Sequence, residues 1–252
     1  MAAADTQKET SMKVTYLYHS GFLVECENCA FLFDYIRGEL PDLPVQIPLF
    51  VFCSHSHRDH FCQDIFRIFA GHPNTIFILA KQIPMSESRM RNLGLTKKEH
   101  LIRLSAGAEI QLADSQGAPI VIKTLASTDM GVAFLLEYQG RRLYHAGDLN
   151  DWQWEEEDPV WNHHMHQRFI KQMEKLRNTA IYLAFVPLDP RQETFAYGGL
   201  STLLQTADIE NVMPMHMWDD YDIIRRWKRE TGLPDRTYRL LEIQKEGQVF
   251  YL

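Results

Sequence analysis

The stretch that most constrains this chain is PLFVFCSHSHRDHF, residues 48–61, where an apolar run empties into three histidines and an aspartate. A short, continuously apolar run reads as a fully buried strand. Its polar end therefore sits at the edge of a core, where unpartnered ligand-type side chains would be costly. His55 and His57 are separated by one residue, so in extended geometry their imidazoles leave on the same side. Asp59 and His60 follow at once and point into the same pocket from a turn. This mixed nitrogen and oxygen set suits Zn²⁺ and other borderline divalent ions.

Around this segment the pattern is strand-rich early and centrally, with helical stretches between and after. KVTYLYH, GFLVEC and AFLFDY open the chain as short β-type runs. QDIFRIFAG and SESRMRNLG read as helices, the latter with Ser86 or Ser88 as its cap. A hairpin is expected at Gln139-Gly140. Helices are expected at about 161–178, about 199–208 and near 220–230, and a closing hairpin, RLLEIQKEGQVFYL, turns at Glu246-Gly247. Two sheets between helical layers accommodate this order. Residues 1–11 read as a flexible tail and 12–252 as one domain, with the acidic DWQWEEEDP taken as a functional loop.

The formal charge of −7 and the absence of a basic groove argue against a nucleic-acid partner. The cluster Arg225, Arg226, Lys228, Arg229 is interleaved with Asp219, Asp220 and Asp222, and reads as a solvated face. No apolar run approaches the roughly 18 residues that span a bilayer. MAAADTQKETS has neither a basic start nor an apolar segment, so a cytoplasmic protein with reduced thiols is expected. Cys26 and Cys29 form a lone CxxC at an expected hairpin turn, and a plain turn is favoured over a redox or metal role.

HSHRDH matches the HxHxDH signature of the metallo-β-lactamase superfamily, and further stations follow in that superfamily's order over about residues 12–252. Asp34, ending FLFD, is similar to the aspartate that braces the metal loop. Asp148 in YHAGD resembles the aspartate that bridges two metals, and His216, ending VMPMH, resembles the last histidine ligand. The resemblance implies an α/β fold, a four-layer αββα sandwich, holding two divalent metal ions. It places His55 and His57 on one ion, Asp59, His60 and His216 on the other, and Asp148 between them. It further implies hydrolysis by a metal-bound hydroxide, with Asp59 orienting the nucleophile.

One departure concerns the first ion. The superfamily's third histidine would fall in LASTDMGVAFLLE, which has none; Ser127 occupies the place, and Asp129 is the candidate substitute, or nothing replaces it. Added oxygen ligands admit Mn²⁺ or Fe beside Zn²⁺. His19, in YLYHSGFLVE, resembles a histidine of the lactonase-like and phospholipase-D-like branch; it contacts substrate or is structural. His145 is either a proton donor or supporting group, or plain strand packing. Trp152 and Trp154 wall the pocket or cover a core edge. Asp189 and Arg191 face the cleft or fix a loop by an ion pair. His163, His164 and His166, with no nearby carboxylate to complete a site, read as a solvated or loop-facing helix start. The expected activity is hydrolysis of an ester, lactone, amide or phosphodiester bond in a small molecule. The alternatives are a nucleic-acid phosphodiesterase and a non-catalytic metal-binding or ligand-sensing module; oligomeric state stays open.

Overall fold

In a computed structural model the described residues are 11–93, 95, 100–232 and 238–252. Apart from Ser11, the expected tail lies outside them. Among the described residues, fourteen strands form two seven-stranded sheets, ordered β14-β1-β2-β3-β4-β5-β6 and β13-β12-β11-β10-β9-β8-β7.

The first sheet is built from β1 (Lys13–Tyr18), β2 (Gly21–Glu25), β3 (Ala30–Phe33), β4 (Leu49–Cys53), β5 (Thr75–Ala80) and β6 (Leu101–Leu104), with β14 (Val249–Tyr251) on its outer edge. β14, β1, β2 and β3 pair antiparallel, whereas β3 through β6 run parallel. β3 and β4 are buried at every position, as strands covered on both faces must be. The second sheet repeats the plan. β7 (Glu109–Ala113), β8 (Pro119–Ala126), β9 (Val132–Tyr138) and β10 (Arg141–His145) pair antiparallel. From β10 the sheet runs parallel through β11 (Ala180–Pro187), β12 (Asp208–Met215) and β13 (Arg239–Leu240).

Aromatic side chains join the sheets face to face: Phe22 meets Phe185 at 4.2 Å between ring centroids, Phe52 meets Phe134 at 5.1 Å, and Phe31 meets Tyr138 at 5.8 Å. On the outer face of the first sheet, Phe66 of α1 (Ile65–Ile68) packs on Phe77 of β5 at 4.8 Å. α2 (Glu87–Asn92) starts at Ser86, whose hydroxyl accepts the Arg89 N–H as expected of a cap. The second sheet is flanked by α4 (Gly198–Thr206), which contacts β11 and β12, and by α3 (Pro159–Met173), which contacts α4. α5 (Ile223–Thr231) joins them through Trp227, whose indole N–H donates to Ser201 of α4. The result is the four-layer αββα sandwich.

Of three local expectations, two hold and one does not. Gln139-Gly140 does join β9 to β10, and Cys26 and Cys29 do form a turn, the Cys26 N–H donating to the Cys29 carbonyl. The closing segment, however, is not a hairpin: β13 adds to the second sheet and β14 to the first. Alternating polarity marks both pieces as strands but carries no information about which sheet edge is open. Among the described residues, no helix is long and apolar enough to cross a membrane.

Candidate metal centre

Parallel strands gather their functional side chains beyond their carboxyl ends, and both sheets obey this here. Asp34 follows β3, the histidine loop follows β4, Asp148 follows β10, Asp189 follows β11 and His216 follows β12. The β1–β2 turn contributes His19 and the β8–β9 loop contributes Asp129. These residues form two groups of metal-ligand type, each with one donor atom per residue all within 4.8 Å: His19, Asp59, His60 and His216, and His55, His57, Asp129 and Asp148.

Asp148 joins the groups. One carboxylate oxygen lies 3.0 Å from His60 Nε2 and 3.4 Å from His216 Nε2; the other lies 3.2 Å from His55 Nε2. The inner group is almost wholly buried except for Asp59, whose side chain is 29% exposed. His57 and Asp129, 3.6 Å apart, are 44% and 46% exposed and form the mouth.

Hydrogen bonds behind the cluster decide which imidazole nitrogen faces it. His60 Nδ1 donates to Asp34 at 2.7 Å, and His216 Nδ1 donates to Asp189 at 2.8 Å. The Ser54 hydroxyl donates to Asp34 at 2.6 Å, so at 2.9 Å it can only accept from His55 Nδ1. In the neutral form of all three rings Nε2 carries the lone pair and points inward, the tautomer that metal-ligating histidines take from a carboxylate or hydroxyl partner. Asp34 also takes the Ser54 N–H at 2.7 Å, pinning the start of the histidine loop.

The backbone is bent to fit. His19, Asp34 and His216 adopt φ of 55°, 39° and 66°, a region that costs non-glycine residues energy and concentrates at functional sites. Two glycines let the opposite sheet approach Ser54. A Cβ on Gly131 would stand 1.9 Å from the Ser54 carbonyl oxygen, which accepts the Val132 N–H, and one on Gly147 would stand 2.6 Å from Ser54 Cβ. Gly131 thereby brings the loop carrying Asp129 up to His57.

The donor set fits divalent metal ions. Nε2 of His55, His60 and His216, both ring nitrogens of His19 and one oxygen of Asp148 are buried without a hydrogen-bond partner among the described residues. Buried polar groups are nearly always paired, and a convergent set of lone pairs is paired by a cation. The electrostatics agree. Burial opposes charge on His60, yet Asp148 and Asp34 on either side push it well above its ordinary value. Burial likewise works against ionised Asp148, which His60 and His216 hold well below the carboxylate range. Burial pulls His19 down to about 4 despite Asp59 beside it. Asp189 is lowered to about 2: burial raises it, and the hydrogen bonds from His216 and Arg191 overcome that.

Several sequence expectations land elsewhere. His145 lies between the sheets: its Nε2 donates to the Ser20 carbonyl at 2.9 Å, its Nδ1 accepts the Gly147 N–H, and its ring stacks on Phe33. It is a strut between the turns that carry His19 and Asp148. Trp152 is 6% exposed, its indole N–H donates to the Asp148 carbonyl at 2.8 Å and its ring packs behind His216. His19, 1% exposed, lies among the donors and not on a substrate surface. The exposed aromatic at the rim is Trp218, edge-on to His19 at 4.6 Å, with Arg191 over its other side at 4.3 Å. Asp189 serves both competing readings at once, orienting His216 and pairing with Arg191. His166 does have a carboxylate, Asp151 at 2.7 Å, reached across the loop rather than along the helix. Trp218 was legible as the residue two beyond His216; the Asp189 contact was not, because it joins the ends of adjacent strands.

Residues 13–160 match a family described as "Beta-lactamase superfamily domain". The chain belongs to the metallo-β-lactamase superfamily. Within it, the chain is 27% identical over 147 residues to a "UPF0173 metal-dependent hydrolase" of Korarchaeum cryptofilum, covering 54% of this chain and 60% of that one. The chain thus spans less than two thirds of that relative's length. In fold it resembles Igni18, described as a novel metallo hydrolase from Ignicoccus hospitalis, with a TM-score of 0.60 at 18% identity over 96% of this chain and 99% of the other. It also resembles CmlA, a diiron β-hydroxylase from Streptomyces venezuelae, with a TM-score of 0.59 at 12% identity over 98% and 54% of the two chains.

Proposed function

We propose that this chain is a two-metal hydrolase acting on an ester, lactone, amide or phosphodiester bond of a small molecule in the cytoplasm. The observation that carries the reading is the pair of donor groups sharing Asp148, with three histidines held in the ligating tautomer. His55, His57, Asp129 and Asp148 would hold the outer ion; Asp59, His60, His216 and Asp148 the inner. Bound there, two divalent ions supply a nucleophilic water at neutral pH and charge stabilisation of the oxygen under attack.

The chain's own residues do the rest. Asp59, partly exposed and held ionised by His19 and His60 against the cost of its burial, accepts a hydrogen bond from the nucleophile and aims it. Trp218 presents apolar surface beside His19 and His216, and Trp152, stacked on Trp154, excludes water from behind His216. The names of the Korarchaeum relative and Igni18 support hydrolysis. Two histidines with two carboxylates in the outer group suit Zn²⁺, and equally Mn²⁺ or Fe. The acidic balance supports a small substrate over a nucleic acid.

The test is metal analysis of protein purified without added metal, followed by turnover on a panel of esters, lactones and phosphodiesters. Bound transition metal and turnover abolished by Asp59→Asn are expected. Folded protein devoid of transition metal would end the proposal.

A further inference from the structure

Building on that two-metal reading, we propose that His19 is a fifth protein donor to the inner ion. It closes that ion to substrate and leaves the outer ion as the one a substrate reaches.

The polar group that faces the His19 ring, Asp59 at 3.4 Å, is itself a member of the donor group. The His19 side chain is fully buried, and neither ring nitrogen has a hydrogen-bond partner among the described residues. A neutral imidazole carries one N–H and one lone pair, so a histidine that merely filled the core would leave both unpaired at a cost. The turn that presents it is nonetheless clamped. The His19 N–H donates to the Tyr16 hydroxyl at 2.9 Å, its carbonyl accepts the His216 N–H at 3.1 Å, and the next carbonyl takes the His145 ring. Its φ of 55° is a conformation held against local preference. The clamp fixes the ring 4.0 Å from that of His216 and 5.4 Å from that of His60, centroid to centroid.

Spacing points the same way. Nitrogen and oxygen donors at about 2.0–2.2 Å from one ion stand roughly 3–4 Å from one another, depending on the angle between them. His19 Nε2 lies 3.4 Å from Asp59 Oδ2, which lies 3.9 Å from His216 Nε2. His216 and His60 lie 3.4 and 3.0 Å from the same Asp148 oxygen. Those five atoms complete the coordination of a Zn²⁺-like ion, which takes four or five ligands. The outer ion has His55, His57, Asp129 and the second Asp148 oxygen, and two of these residues open to solvent. The labour is therefore divided: a saturated, buried ion that anchors the site, and an accessible one that exchanges and takes substrate.

Co²⁺ is the probe, titrated into metal-free protein and read by visible absorption and bound stoichiometry. Wild type is expected to bind one equivalent tightly and a second more weakly. In His19→Gln the tight equivalent should weaken by at least the roughly 10–100-fold that loss of a supporting partner alone costs, and its d–d spectrum should change. His19→Ala, read independently should the glutamine variant not fold, removes the donor and should show the same loss, recovered in part by added imidazole. Unaltered affinities and spectrum in His19→Gln, or in His19→Ala, would overturn the role of His19. Wild type that binds no Co²⁺ would instead end the two-metal reading itself.

Discussion

Asp34 touches no candidate metal position, yet its replacement by asparagine should disarm the centre without unfolding it. The carboxylate takes three hydrogen bonds, from the Ser54 N–H, the Ser54 hydroxyl and His60 Nδ1, at 2.7, 2.6 and 2.7 Å. An amide of the same shape keeps one acceptor, which the Ser54 N–H claims, and turns its NH₂ towards the hydroxyl and the imidazole. The hydroxyl can rotate and accept. His60 can accept only by moving its proton from Nδ1 to Nε2, which removes the lone pair aimed at the cluster. Each charge-assisted bond lost contributes about 1.5–3 kcal/mol, and part is regained by the new bonds, so the metal-free protein should lose about 2–4 kcal/mol. Forcing the tautomer back on metal binding costs a further bond of that size, a 10–100-fold drop in affinity. Urea unfolding in chelator gives the first quantity, and chelator competition with Zn²⁺ or Co²⁺ gives the second. Metal affinity within threefold of wild type in a folded Asp34→Asn protein would refute the tautomer argument.

Other outcomes follow from the same geometry. Gly131→Ala should destabilise by about 3 kcal/mol or more, because its Cβ would overlap the Ser54 carbonyl and φ is 78°; a urea midpoint equal to wild type would contradict this. Asp129→Ala should weaken one metal equivalent and spare the other, since Asp129 belongs only to the outer group; calorimetry resolves the two. In chelator, stability should fall by about 3 kcal/mol as pH drops from 6.5 to about 4. The sign follows from His19: unfolded chains take up its proton near 6.5, whereas burial delays uptake in the fold to about 4, so stability is full above 6.5. Unfolding of His19→Gln over the same range should lack that component.

The centre was legible in the sequence to the extent that its ligands sit at strand ends. His55, His57, Asp59 and His60 are announced by the apolar run before them, and Asp148 and His216 by theirs. His19 was visible as a histidine but not as a member of the donor cluster, because only the pairing of the β1–β2 turn with the end of β12 brings it there. His145 misled for a related reason. Three residues before Asp148 it is close in sequence, yet strand alternation turns its ring between the sheets, against Phe33. The closing hairpin was mistaken because turn chemistry at Glu246-Gly247 is real, while the vacancy each flanking strand fills lies on a different sheet.

That split ending sets an order of events. β1 is completed only when residues 249–251 pair with residues 13–15, almost the full length of the described chain away. Contacts between such distant segments are the slowest to form, because the loop they close must be ordered first. The strand leading into His19 therefore lacks its outer neighbour until late. The histidine loop differs: it follows β4, which pairs with β3 and β5, its neighbours in sequence, and is held by contacts of much shorter span.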